Sequence, residues 1–141
     1  MTSITSLAGR RLLVTGAGSG IGLAFLRLAL ADGAACFALV KDEAERKTLL
    51  GAGLAALPEE SVLAADITQF DRAKNLVAQA QECLGGLDGF VSSAGIFDHR
   101  PGLETGLADW QRAEALRFLT SEGASFITGQ ILCVDGGVTA A

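Results

Sequence analysis

Thr15-Gly16-Ala17-Gly18-Ser19-Gly20-Ile21-Gly22 follows the apolar run Leu12-Leu13-Val14 and opens a run of helix formers that continues to Leu30. The order is strand, glycine turn, helix. Glycine admits positive φ and lets a bound group approach the backbone, while the unpaired N–H groups and positive dipole end of the following helix favour a phosphate. A glycine-rich string by itself also fits a tight turn with no ligand. The strand before it and the helix after it are what point to a dinucleotide pyrophosphate site.

Outward from this turn the chain alternates between two periods. Residues 11–15 form a short strand around the apolar run Leu12-Leu13-Val14, and residues 20–31 a helix that is apolar nearly all round except for Arg27. Such a helix lies against a sheet and is covered on its outer side too. Gly33 ends it. A second buried strand is expected over 34–40, a charged helix over 42–50, a Gly/Ala loop to Pro58 and a third strand over 61–65 that ends at Asp66. Residues 69–84 place Phe70, Ala73, Leu76, Val77, Ala80 and Leu84 at helical spacing, and Gly85-Gly86 stops that helix before a fourth strand over 88–92. Continuous apolar strands alternating with helices imply a parallel sheet, helices on both faces and right-handed crossovers. The fold class is α/β, a doubly wound dinucleotide-binding unit.

The chain has 141 residues, enough for one domain over 1–141 with one core. Half of it is hydrophobic, yet Arg27, Asp32 and Lys41 break the apolar runs, and none is long enough to span a bilayer. Residues 1–7 are Ser/Thr-rich without the apolar stretch of a secretory signal, so a cytoplasmic location is the expectation. A net charge of -5 without clustered Lys and Arg argues against a nucleic-acid surface. Cys36, Cys83 and Cys133 are odd in number, far apart and set in apolar or helical patterns; they read as buried reduced thiols, with no metal-ligand spacing.

The successive landmarks resemble the short-chain dehydrogenase/reductase family. They are Thr15-Gly16 with Gly20-Ile21-Gly22, Asp66-Ile67-Thr68, Gly86-Leu87-Asp88 and Ser92-Ser93-Ala94-Gly95, then Phe118 to Ser121, Ser125 to Gln130 and Val134-Asp135-Gly136-Gly137. The resemblance covers nearly the whole chain and implies a Rossmann-like sheet and hydride transfer between NAD(P)H and an alcohol or ketone. Carried over residue by residue, it implies that Gly16, Gly20 and Gly22 form the turn, with Ser19 and Ile21 contacting ribose and phosphates. Asp66 matches the carboxylate that meets the adenine amino group, with Ile67 beside the ring; such a carboxylate can instead cap the next helix. Ser93, Ala94 and Gly95 match the segment beside the nicotinamide ribose, although the family usually has asparagine where Ser93 stands. Val40 occupies the position where NAD users commonly place an acid, and Lys41 follows. A cation suits a 2′-phosphate, so the pair favours NADP, with NAD as the alternative because Asp42 is adjacent.

The family's catalytic pattern is a Ser, then Tyr-x-x-x-Lys, with an Asn on the helix after the fourth strand. This chain contains no tyrosine, and its lysines, Lys41, Lys47 and Lys74, all precede the fourth strand. After Ala108 to Arg112, which resembles the start of the family's fourth helix, the sequence passes directly into Ala113 to Leu119, which resembles its last helix. Arg117 stands about where the asparagine would fall. No catalytic residue and no metal ligand is assigned. His99, the only histidine, lies in a polar loop with Asp98 and Glu104, and a lone loop histidine is usually solvated and idle. Trp110 reads as a core or interface anchor. Three function classes are open: a dinucleotide-binding protein of dehydrogenase descent that is inactive as it stands, an active oxidoreductase using a non-family acid or a partner chain, and a non-catalytic structural or interaction module.

Closure of the sheet is the last expectation. About five strands in the order 3-2-1-4-5 would protect the edge of strand four, with 131–134 as the fifth. A right-handed crossover then puts the helix within 106–121 on the same face as 69–84 and leaves the opposite face partly uncovered. The portion from Ala113, by contrast, resembles a family helix packed beside 20–31. Apolar surface remains in either arrangement, which favours a homodimer or larger homo-oligomer.

Overall fold

The computed structural model describes residues 5–95, 107–130 and 132. Among the described residues four strands and four helices follow one another as β1 (Arg11–Thr15), α1 (Gly20–Ala31), β2 (Ala35–Val40), α2 (Glu43–Leu50), β3 (Val62–Ala64), α3 (Phe70–Leu84), β4 (Gly89–Ser92) and α4 (Leu107–Leu119). Short 3-10 turns at Glu59–Ser61 and Glu122–Ala124 precede β3 and follow α4. The strands form one parallel sheet in the order β3-β2-β1-β4, with Leu13 in register with both Phe37 and Phe90.

Alternation along the strands divides the core in two, because successive side chains of a strand point to opposite faces. Leu12, Val14, Cys36, Ala38, Val40, Val62 and Val91 pack with Ala24, Phe25, Leu26 and Ala29 of α1 and with Leu49 of α2. Leu13, Phe37 and Leu39 pack on the other face with Leu76 and Ala80 of α3. At the N-terminal edge of the sheet Arg11 and Asp88 lock β1 to β4. Arg11 Nε donates to Asp88 Oδ2 at 2.9 Å and Nη2 to Oδ1 at 2.7 Å, and the Arg11 N–H donates to Oδ2 at 2.9 Å. β4 begins at Gly89, one residue later than expected, although the Asp88 N–H still donates to the Arg11 carbonyl at 2.8 Å. The guanidinium of Arg11 holds the Asp88 carboxyl well below the usual carboxylate range.

The placement of α4 corrects the expectation drawn from handedness. It packs on α1, with Ala113 fully buried and Leu116 partly buried in the α1 face of the core, and it does not share a face with α3. Arg117 reaches Asp32, the C-cap of α1. The reason lies in α1 itself. A helix apolar nearly all round must be covered on its outer side, and α4 is the cover. A strand leaving α4 to lie parallel beyond β4 would need a left-handed connection, so it is the expected seat of this helix beside α3 that the structure overturns. The expected fifth strand at 131–134 lies outside the described residues apart from Leu132, which is exposed and in no strand.

Two further expectations change. Cys83 is exposed on the last turn of α3, beside the short third strand, where its Sγ lies 3.4 Å from Ser61 Oγ; it is not a buried thiol. Cys36 is buried on β2, where desolvation pushes its thiol up to about 12 and leaves it unreactive. Cys133 and the side chain of Trp110 lie outside the described residues.

Candidate dinucleotide site

The C-terminal ends of the four strands meet along one edge, and the glycine turn after β1 is its centre. Gly16 holds φ at +63° and Gly20 at +51°, conformations that side chains rarely adopt. Space is as restrictive as backbone angle. A Cβ on Gly16 would stand 2.7 Å from the Ser93 carbonyl oxygen and 2.8 Å from Ala94 Cα, and one on Gly22 would overlap the Gly16 carbonyl oxygen. Absence of side chains therefore brings the turn against both the end of β4 and the first turn of α1. Around Gly20, by contrast, which is itself buried, a Cβ would meet nothing within 4 Å.

Backbone bonds fix this edge. The Ser93 N–H and the Ala94 N–H both donate to Thr15 Oγ1, at 3.2 and 3.3 Å, and the Ala17 N–H donates to the Leu39 carbonyl at 3.2 Å. One buried threonine hydroxyl thus ties β4 to β1, a bridge that the resemblance assigns to an asparagine at position 93. Sequence reading passed over Thr15 as a strand former. Its signal is a hydroxyl on the last residue of a buried strand, directly before the glycine turn.

Ser19 is the N-cap of α1, in extended backbone, exposed, and with no hydrogen bond from its side chain to the helix. The first N–H groups of α1, from Gly20, Ile21 and Gly22, have no intrahelical acceptors. Backbone N–H groups at a helix start point out of the helix end, an arrangement that favours an anion, and the exposed Ser19 is the residue next to them.

At the end of β2, Val40 is buried and Lys41 exposed. Asp42 is the N-cap of α2 and accepts from the Glu45 N–H at 2.8 Å. Glu45 in turn accepts from the Lys41 N–H at 2.9 Å through Oε2. Its Cγ and Cδ lie where a Cβ on Gly18 would be, so α2 touches the glycine turn through this side chain. Sequence reading missed Glu45, although the spacing Asp42-x-x-Glu45 is a helix-start signal.

Beyond β3, Asp66 does cap the following turn. Its Oδ1 accepts from the Thr68 N–H at 2.9 Å and the Thr68 hydroxyl at 2.6 Å, and these bonds hold its carboxyl below the usual range. Oδ2 has only a 3.4 Å contact from Gln69 Nε2 and faces solvent. Ile67 beside it is 41% exposed, an apolar surface at the site's rim. Ser93, Ala94 and Gly95 close the other end. The structure thus assembles Gly16, Ser93 and Ala94 in direct contact, with Lys41 linked to Gly18 through Glu45. Arg117 is excluded from this edge, because Asp32 is at the far end of α1, about 18 Å from its start at 1.5 Å per residue. His99, Asp98 and Glu104 lie outside the described residues.

Comparison with known proteins accords with this geometry. The sequence model of the family described as short chain dehydrogenase matches residues 10–120. A 3-phenylpropionate-dihydrodiol/cinnamic acid-dihydrodiol dehydrogenase of Photorhabdus laumondii is 36% identical over 92 residues, which make up 65% of this chain and 32% of that protein. A 2,5-dichloro-2,5-cyclohexadiene-1,4-diol dehydrogenase of Sphingobium indicum is 38% identical over 94 residues, 66% of this chain and 36% of the relative. Among solved structures, a dehydrogenase/reductase from Sinorhizobium meliloti superposes with a TM-score of 0.57 at 27% identity, over 88% of this chain and 52% of that one. L-Sorbose reductase from Gluconobacter frateurii, solved with NADPH and L-sorbose, shares the fold at a TM-score of 0.58 and 20% identity, over 84% of this chain and 48% of the reductase. The chain spans about a third of the curated relatives and about half of the solved structures it matches. With a four-stranded parallel sheet, a glycine turn opening α1 and a family match over residues 10–120, the chain belongs to the short chain dehydrogenase family.

Proposed function

We propose that the chain binds NADP(H), with NAD(H) as the alternative, along the C-terminal edge of its sheet, and carries out no ordinary dehydrogenase turnover as it stands. The glycine turn carries the binding half of this reading. Gly16 and Gly22 permit the close approach of turn, β4 and α1, and the open space at Gly20 adjoins the free N–H groups of α1. Family membership supports a dinucleotide there. In this reading Ser19, Gly20, Ile21 and Gly22 hold the pyrophosphate, Asp66 and Ile67 take the adenine, and Ser93, Ala94 and Gly95 run beside the nicotinamide ribose. Lys41 supplies a cation for a 2′-phosphate, which supports NADP(H). When bound, the nicotinamide ring supplies the hydride-exchanging carbon of the family's alcohol and ketone chemistry.

The inactive half rests on composition. With no tyrosine in the chain and every lysine ahead of β4, no phenol can be paired with an ammonium at the reacting carbon. A positioned acid contributes about 10²–10⁴-fold, and its tuning cation adds to that. The exposed Phe90, 60% accessible on the face where Leu13 meets α3, supports a homodimer or larger assembly. Among the described residues no helix is long and apolar enough to cross a membrane, and the expected location remains cytoplasmic. The test is turnover of NADPH and NADH over a panel of alcohols and ketones, alongside a fluorescence titration with each nucleotide. Saturable binding with rates at the uncatalysed background is expected. Turnover in the ordinary enzymatic range contradicts the inactive half, and no binding contradicts the whole.

A further inference from the structure

The Glu45 carboxylate is fixed between the glycine turn and the end of β2. A helix capping box would be completed by this side chain accepting from the N–H of the N-cap, Asp42. Here it reaches one residue further back, to the Lys41 N–H at 2.9 Å, and its Cγ and Cδ press on Gly18. Gly18 and Glu45 are therefore complementary, since the space one lacks is filled by the other. In a doubly wound fold, the crevice between the first βα turn and the second strand's end receives the ribose of the adenosine half. There an acid accepts from the 2′-hydroxyl, and a cation suits a 2′-phosphate. The residue at the strand end is Val40, which can do neither.

Resting on the reading that this edge binds a nicotinamide dinucleotide, we propose that Glu45 is a specificity-determining residue, supplying from α2 the carboxylate that the end of β2 lacks. It accepts from the ribose 2′-hydroxyl and repels a 2′-phosphate, opposing the positive charge of Lys41. The two charges leave the wild-type chain with only a modest preference for NADP(H) over NAD(H).

Calorimetric titration of the full chain with NADH and with NADPH tests this on the wild type, Glu45→Gln, Gly18→Ala and the double variant. The wild-type affinities are expected within about tenfold of each other, and Glu45→Gln shifts the ratio about tenfold toward NADPH by tightening NADPH. Gly18 lies outside the left-handed region, so alanine suits its backbone, and the added methyl displaces Glu45 with no change of charge. Gly18→Ala is therefore expected to shift the ratio in the same direction, and the double variant to shift it no further than Glu45→Gln alone. A helix cap with no part in selectivity would weaken both nucleotides equally and leave the ratio unmoved. That result, with wild-type binding intact, overturns the role of Glu45 and spares the site. Absence of saturable binding of either nucleotide to the wild type overturns the site, and this inference with it. Far-UV circular dichroism confirms folding, and Gly18→Ala decides the matter should Glu45→Gln not fold.

Discussion

The guanidinium of Arg117 grips the carboxylate of Asp32 with two bonds, Nε to Oδ2 at 3.1 Å and Nη2 to Oδ1 at 3.2 Å, and so fastens α4 to the C-terminal end of α1. The same Oδ2 accepts from the Leu7 N–H at 2.7 Å, which draws the chain before β1 into the junction. Three separate segments converge on one carboxylate, and both side chains of the pair are mostly covered.

That convergence predicts a pH dependence with a definite sign. The bonds from Arg117, and then from Leu7, lower the Asp32 carboxyl below its ordinary value. A lowered carboxylate contributes stability that is fully present above its unfolded pKa, about 3.9, and is lost as pH falls through the folded value. Replacing Asp32 with Ala is expected to cost about 2 kcal/mol at pH 7, read from urea denaturation. The gap between wild type and variant should narrow as pH falls below about 4. A gap that does not change with pH would show that the charge of Asp32 does not hold the junction.

Ala113 tests the packing side of the same junction. It is fully buried between α4 and α1. An unpaired carboxylate there is costly, so Ala113→Asp should destabilise by about 3 kcal/mol or more, while exposed Glu114→Ala stays within about 0.5 kcal/mol. Comparable, small effects at both positions would place α4 elsewhere than on α1.

Local order was legible in the sequence where it depended on neighbours in the chain. The glycine turn, the apolar strands and α3 each announce themselves within a few residues, and β1 and α1 fall on their expected bounds. The seat of α4 was not legible in that way. Two readings competed for it, crossover handedness and the resemblance of the portion from Ala113 to a helix packed beside α1, and the packed core decides for the second. Thr15 and Glu45 were hidden for a related reason. A threonine ending a strand and a glutamate three residues after a cap look ordinary until the turn folds back to meet Ser93, Ala94 and Lys41.

Thr15 carries a prediction for the site's rigidity. Its hydroxyl accepts from the N–H groups of both Ser93 and Ala94, so Thr15→Val leaves two donors unpaired at nearly constant shape. A loss of about 1–3 kcal/mol is expected, with faster amide exchange at Ser93 and Ala94, and Thr15→Ser should recover most of both. Unchanged exchange at those two amides would show that the hydroxyl does not tie β4 to β1.

The most direct test of the central claim, that a dinucleotide sits on the glycine turn, is an amide chemical-shift titration of the full chain with NADPH and NADH. Saturable shifts are expected at Gly16, Ser19, Gly20, Ile21, Gly22, Ile67, Ser93 and Ala94, with little change at Asp32 or Arg117 at the far end of α1. They should vanish in Gly20→Val, whose branched side chain fills the open space and opposes a φ of +51°. No saturable shift at millimolar nucleotide, or shifts gathered away from the turn, would contradict it.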